Sequence, residues 1–171
     1  MLRNSWAMGV IAAGIWIVLG WSASAEDVTD ASALAKALSE ASISLDQGLK
    51  ASEREGKPIY GEYELEDGAL QLSIFVMKGD KFTEVIVDHK TGSITDAEPL
   101  TDPDDLKDAK EQGEAMGKAK HSLEEAIRDA VNANSGYRAV SITPMLRGDQ
   151  PEASISLLRG EEIKEVTEKL N

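Results

Sequence analysis

Ala37 to Leu49 aligns with Ala115 to Ile127 at an offset of 78, and Ser73 to Val85 aligns with Ser154 to Val166 at an offset of 81. Self-similarity on this scale constrains the fold more than any local pattern, because an architecture open to one copy must be open to the other. In the first alignment every apolar position of the stripe meets an apolar or small residue. In the second, Ile74, Val76 and Val85 meet Ile155, Leu157 and Val166. The change of offset predicts three extra residues in the second copy, placed at its first hairpin around Leu146 to Pro151.

Each copy opens with one predicted helix. Leu34, Leu38, Ala41, Leu45 and Leu49 recur every three or four residues, with Asp30 or Ser32 as N-cap and Gly56 and Pro58 as the stop. In the second copy Leu106, Ala109, Gly113, Met116, Leu123, Ile127 and Ala130 extend the stripe over about 30 residues. Asp102 or Thr101 caps it, Pro103 sits in the first turn, Gly113 and Gly117 are its weak points, and Asn134-Ser135-Gly136 ends it.

A meander follows each helix. Ile59 to Glu66 alternates and meets Asp67-Gly68, a two-residue hairpin signal, before Ala69 to Met77; Lys78-Gly79-Asp80 then turns into Phe82 to Asp88. Ser93 to Thr95 is a short fourth strand. The second copy offers Tyr137 to Leu146, Glu152 to Leu158 and Glu162 to Leu170. Charges at Glu62, Glu64 and Lys81 make one face wet, so the helix covers the other. The expected fold class is α+β, two repeated units, each a helix packed on a three- to four-stranded antiparallel meander. Units of about 60 to 70 residues bury too little surface to be comfortably stable alone, so the two must pack together.

Before the repeat, Arg3 precedes an apolar run from Trp6 to Trp21 and the small-x-small triplet Ala23-Ser24-Ala25. This is the pattern of a secretory signal cleaved after Ala25, and it predicts a periplasmic or secreted protein with no stable membrane span after cleavage. The run of about 16 residues falls short of the roughly 20 that span a bilayer. All three tryptophans, Trp6, Trp16 and Trp21, lie in this leader. The organisation read from the sequence is a signal peptide at 1–25, a first unit at 26–96, an acidic linker and helix start at 97–108, and a second unit at 109–171.

Composition narrows the chemistry. Eighteen Lys and Arg against 31 Asp and Glu give a net charge of -13 with no basic cluster, which speaks against nucleic acid as a partner. Cysteine is absent, which removes disulfides, thiolate metal sites and thiol nucleophiles. His89 and His121, the only imidazoles, have no H-E-x-x-H setting, and no serine sits in G-x-S-x-G. Asp102, Asp104, Asp105 and Asp108 crowd oxygen donors but lack the glycine and distal glutamate of a calcium loop, and helix-dipole complementation explains them. Arg147-Gly148-Asp149 reads as turn chemistry. The sequence therefore predicts no catalytic residue, no metal site and no cofactor. Alternation sets Tyr60, Glu62 and Glu64 on one face and Tyr63 on the other, so the first three are the candidate partner-binding residues; core filling is expected of Phe75 and Phe82.

Two features together carry a family resemblance: the small-and-leucine helix before Asp-Gly between alternating strands, and the segment Val87-Asp88-His89-Lys90-Thr91-Gly92-Ser93-Ile94. The chain resembles the PepSY domain family, whose members combine a helix, a meander and a closing V-D-x-x-T-G turn. The second copy is similar in helix and hairpin only, since Glu168-Lys169-Leu170-Asn171 stands where the closing motif would be. The resemblance implies an exported, non-enzymatic module that binds a protein or peptide partner, an exported peptidase among the candidates, and modulates or inhibits it. It makes Asp88, Thr91 and Gly92 a structural turn, with Asp and Thr bonding backbone and Gly at positive φ. The alternative from the residues alone is a structural or cation-responsive acidic envelope protein with no peptidase partner.

Overall fold

The structure, a computed structural model, describes residues 25–171, with side chains described from residue 31. The expected leader, Met1 to Ala25, lies outside the described residues but for Ala25. The chain is α+β: helices α1 (Ala25–Leu38) and α2 (Leu45–Ser52), strands β1 (Lys57–Glu66), β2 (Ala69–Lys78), β3 (Lys81–Val87) and β4 (Ile94–Pro99), helices α3 (Pro103–Lys118) and α4 (Leu123–Ala133), and strands β5 (Arg138–Arg147), β6 (Gln150–Arg159) and β7 (Glu162–Lys169). The seven strands form one antiparallel sheet in the order β4-β3-β2-β1-β5-β6-β7. Among the described residues no helix is long and apolar enough to cross a membrane.

Where one helix was expected before each meander, there are two. Ser44 and Ser122 start new helices: Gln47 accepts from the Ser44 N–H at 2.9 Å, and Glu125 from the Ser122 N–H at 2.9 Å while its own N–H bonds Ser122 Oγ at 3.2 Å. The residues between the helices spend their N–H groups on carbonyls just past the ends of β3 and β7. Ser42 and Ile43 donate to the His89 carbonyl at 2.9 and 3.0 Å, and Lys120 and His121 to the Leu170 carbonyl at 2.6 and 3.1 Å. The apolar stripe runs through each break in phase, which is why periodicity alone reads a single helix.

One further expectation is corrected. Both hairpin turns hold two residues, Asp67-Gly68 and Gly148-Asp149. The extra length lies instead in α4, which has 11 residues against 8 in α2. Within 97–108, expected to hold an acidic linker and a helix start, β4 continues to Pro99, opposite Thr83, and α3 begins at Pro103, capped by Asp102, whose Oδ1 accepts from the Asp104 N–H at 2.8 Å. The regions on either side of it share one sheet through β1 and β5, where Gly61 pairs with Ile142 and Glu62 with Ser141.

The core lies between one face of the sheet and α2 with α4. Leu45, Leu49, Leu123 and Ile127 meet Ile59, Leu72, Ile74, Ile142, Ile155 and Leu157 in a single cluster. Two glycines set the approach of α2: a Cβ at Gly48 would lie 2.5 Å from Leu72 Cδ2, and one at Gly61 2.7 Å from Ile74 Cδ1. The opposite face is not simply wet, as alternation suggested. Helix α3 packs on it at the end carrying Met77 and Phe82, close enough that a Cβ at Gly113 would lie 3.0 Å from Met77 Sδ. Gly113 is therefore a packing contact within an unbroken helix.

Cations tie the first helix of each pair to the sheet. Lys57 Nζ donates to the Met116 carbonyl at 2.6 Å. Arg138 donates to the Leu38 and Ala41 carbonyls at 3.1 and 3.3 Å, to the Ile43 carbonyl and to Tyr63 Oη.

Candidate functional site

Strand period puts Tyr60, Glu62 and Glu64 of β1 on the face away from α2 and α4, with Gly61 and Tyr63 turned to the core. Register extends that face across the sheet. Glu62 stands between Ser73 of β2 and Ser141 of β5, Ser141 is followed by Ser156 of β6, and Ser156 by Glu165 of β7. The next level holds Tyr60, Phe75 and Glu84. Hydroxyls and carboxylates thus line the middle of the sheet where a second apolar layer would otherwise sit.

Hydrogen bonds hold part of this surface in place. Ser73 Oγ donates to Glu84 at 2.6 Å, Gln71 Nε2 to Glu64 at 3.3 Å, Ser154 Oγ to Glu165 at 3.0 Å, and Ser141 Oγ to Ser156 Oγ at 2.8 Å. Cations do not. Among the described residues no ion pair includes Glu62, Glu64 or Glu84, although carboxylates elsewhere pair with Lys50, Lys90, Lys107, Lys118, Arg147 and Arg159.

The electrostatic consequence is a raised proton affinity. Burial, then the charge of Glu62, pushes the Glu64 carboxyl up to about 7. Burial raises Glu62 as well, with Glu84 adding to it, and burial likewise raises Glu84, with the charge of Asp105 contributing. The Tyr60 hydroxyl is pushed up by burial and by the neighbouring Glu62 charge. Like charges on one face of the sheet repel, and partial burial weakens the water screening that would ease the repulsion. A proton or a cationic group from outside relieves both.

Tyr60 is less available than alternation suggested. Its ring lies 5.1 Å from that of Phe75, tilted by 47°, and it is half-buried. Glu62 and Glu64 follow it on the same strand face. Sequence reading missed Glu84, because its place beside Phe75 depends on the β2–β3 register; the turn at Gly79, with φ of +63°, is the signal that could have set it.

Asp88, Thr91 and Gly92 form the turn after β3. Asp88 Oδ1 accepts from the N–H groups of Lys90 and Thr91 at 2.9 and 2.7 Å, which holds its carboxyl below the usual range. Thr91 Oγ1 accepts from the Ser93 N–H at 3.3 Å, and Gly92 has φ of +76°. His89 sits in this turn and His121 in the α3–α4 connection, with Nδ1 3.6 Å from Glu125. Among the described residues no three His, Asp or Glu side chains converge as metal ligands. Asp149 of the Arg-Gly-Asp turn pairs with Lys118 at 3.2 Å.

Among the described residues two depressions stand out, one away from the carboxylate face and one at its β5 end. One of about 260 Å³ separates α2 from α4 beside Arg138. The other, about 460 Å³, runs between α3 and the end of β5. No family of known proteins, no curated protein and no solved structure matches this chain.

Proposed function

We propose that the chain is an exported, non-enzymatic PepSY-like module that holds a cationic stretch of a protein or peptide partner against the carboxylate face of its sheet, an exported peptidase being such a partner. One observation carries the reading: Glu62, Glu64 and Glu84 are half-buried together with no cation of the described chain beside them. Groups so arranged destabilise the isolated fold and are relieved by a partner of opposite charge.

The accompanying reading is that the scaffold consists of two units. Its support is a set of correspondences at the sequence offsets. The β-bulges fall at Ile59 and Val140, and the Gly61–Ile142 pair lies where a two-fold axis would exchange β1 with β5. The His89 and Leu170 carbonyls each receive two N–H groups from the preceding helix pair. Lys57 and Arg138 each reach the carbonyl at the end of the other unit's first helix, Met116 and Leu38. Ser73–Glu84 and Ser154–Glu165 repeat the same bond.

The test is to add the chain to a thermolysin-type metallopeptidase and follow residual activity and co-elution. The expected result is a complex with reduced peptidase activity, weakened by Glu62→Gln with Glu64→Gln. No complex and no change of activity would refute the peptidase reading. The second reading, a cation-responsive acidic envelope protein, is favoured by the same unpaired carboxylates. It predicts attraction to any basic chain regardless of sequence, and loss of that attraction at ~0.5 M salt.

A further inference from the structure

The groove between α3 and β5 differs from the sheet face in having a floor that is apolar and a rim that is acidic. Pro144 and Met145 line its strand side, and Met145 is 37% exposed, one of two large hydrophobic side chains exposed among the described residues. Asp108, Glu111 and Glu114 line its helix side, and no Lys or Arg lines it. Between them lies Gln112, only 7% exposed, whose buried Oε1 has no hydrogen-bond partner. A buried acceptor without a donor costs about 1–3 kcal/mol, so a group that supplies the donor gains more here than on an open surface.

We propose that this groove receives an arginine side chain of the partner polypeptide. The methylene stem lies on Met145 beside Thr143, one guanidinium N–H donates to Gln112 Oε1, and the remaining donors meet the carboxylates of the rim. Arginine fits better than lysine because its fork reaches an amide oxygen and a carboxylate at once. The rim is open to exchange: Lys107 stands 3.7 and 3.4 Å from Asp108 and Glu111, and Lys118 3.8 Å from Glu114, all exposed pairs of the kind that contribute little. Thr143, also at the groove, lies two residues along β5 from Ser141, the neighbour of Glu62, so the groove continues into the carboxylate face. The inference rests on the partner-binding reading above and assigns that partner's chemistry.

Methionine methyl signals provide the test, because Met145 lies in the groove while Met77 and Met116 lie outside it. The protein, labelled with ¹³C at methionine methyls, is titrated with N-acetyl-arginine methylamide and, separately, with the citrulline analogue, which has the same shape and no charge. The expected result is a saturable shift of Met145 with arginine, at least about five-fold weaker with citrulline, while Met77 and Met116 stay in place. Gln112→Leu weakens the arginine response about five-fold, the worth of one net hydrogen bond. Glu111→Gln, on the exposed rim, weakens it as well and keeps the test valid if the buried variant does not fold. Equal response to citrulline, no saturable shift of Met145, or full binding by Glu111→Gln overturns the proposal. A metallopeptidase complex formed with Met145 unmoved sinks the groove and spares the partner-binding reading; a Met145 response without any complex does the reverse.

Discussion

Replacing Glu64 with glutamine is expected to stabilise the fold in mild alkali and to do little in mild acid. The folded carboxyl titrates at about 7 against an ordinary value of 4.5, because burial and the Glu62 charge disfavour its ionised form. Between those two values the folded chain binds the proton more tightly than the unfolded chain, and unfolding releases it. Stability from this group is therefore fully present below 4.5 and is lost as the pH rises through 7. The gap corresponds to an upper bound of about 3.4 kcal/mol. Glu64 is partly open to water, and screening reduces the figure to about 1–2 kcal/mol. Glutamine keeps an acceptor for Gln71 and carries no charge, so it avoids the loss. Urea denaturation followed by far-ultraviolet circular dichroism, on parent and variant at about pH 5 and about pH 8, measures the difference. A gain of about 1–2 kcal/mol at the higher pH that shrinks at the lower is the expected outcome. A destabilised variant, or a gain of equal size at both, would refute the argument that the ionised carboxyl is strained by its surroundings.

Arg138→Ala should cost about 2–3 kcal/mol, since it leaves the Leu38, Ala41 and Ile43 carbonyls without their charged donor; Arg138→Lys recovers only part of this, as read by urea midpoints. Gly61→Val should cost about 1–3 kcal/mol because the added carbon meets Ile74 and Leu49, with the loss visible in the thermal midpoint. Ser122→Ala should cost about 1 kcal/mol by removing the acceptor for the Glu125 N–H, measured in the same way. Residues 26–99 and 100–171 expressed separately should each fail to unfold cooperatively, and should recover a cooperative transition when mixed; two independently folding halves would contradict the shared core.

The strands were legible because alternation and turn chemistry agree locally. Asp67 and Gly68 both adopt positive φ, 50° and 79°, which a two-residue hairpin of this kind requires, and Asp-Gly is its signal. The helix breaks were harder to read, since Leu45 and Leu123 keep the phase of the preceding stripe. The S-x-x-Q and S-x-x-E boxes at Ser44 and Ser122 were the overlooked evidence. Nothing local encodes the pairing of β1 with β5, which joins residues far apart in sequence at Gly61 and Ile142. The same division applies to the candidate site. Tyr60, Glu62 and Glu64 share a strand and could be grouped by period, whereas Glu84 needed the β2–β3 register and Gln112 with Met145 needed a helix and a strand from different regions brought together.

Under the two-unit reading, what the copies keep and what they change point in different directions. At an offset of 78 or 81 several core pairs are like for like, Leu45 with Leu123, Leu49 with Ile127, Ile74 with Ile155 and Val76 with Leu157, while Gly61 meets Ile142 and Leu72 meets Ala153. On the far face of β1 and β5 the same offset sets Tyr60 against Ser141, Glu62 against Thr143 and Glu64 against Met145. Packing holds those core pairs alike, whereas the far face, less constrained by packing, differs in chemistry between the two strands. Carboxylates on one side of the pair and an exposed Met145 on the other give a single, asymmetric surface spread over a symmetric frame. Under the proposed function, one elongated partner would contact charge on β1 and the exposed Met145 beside β5. Under that function, exchanging residues 62 and 64 for their counterparts at 143 and 145, and leaving Tyr60 on Phe75, should keep the fold and weaken partner binding, read by co-elution.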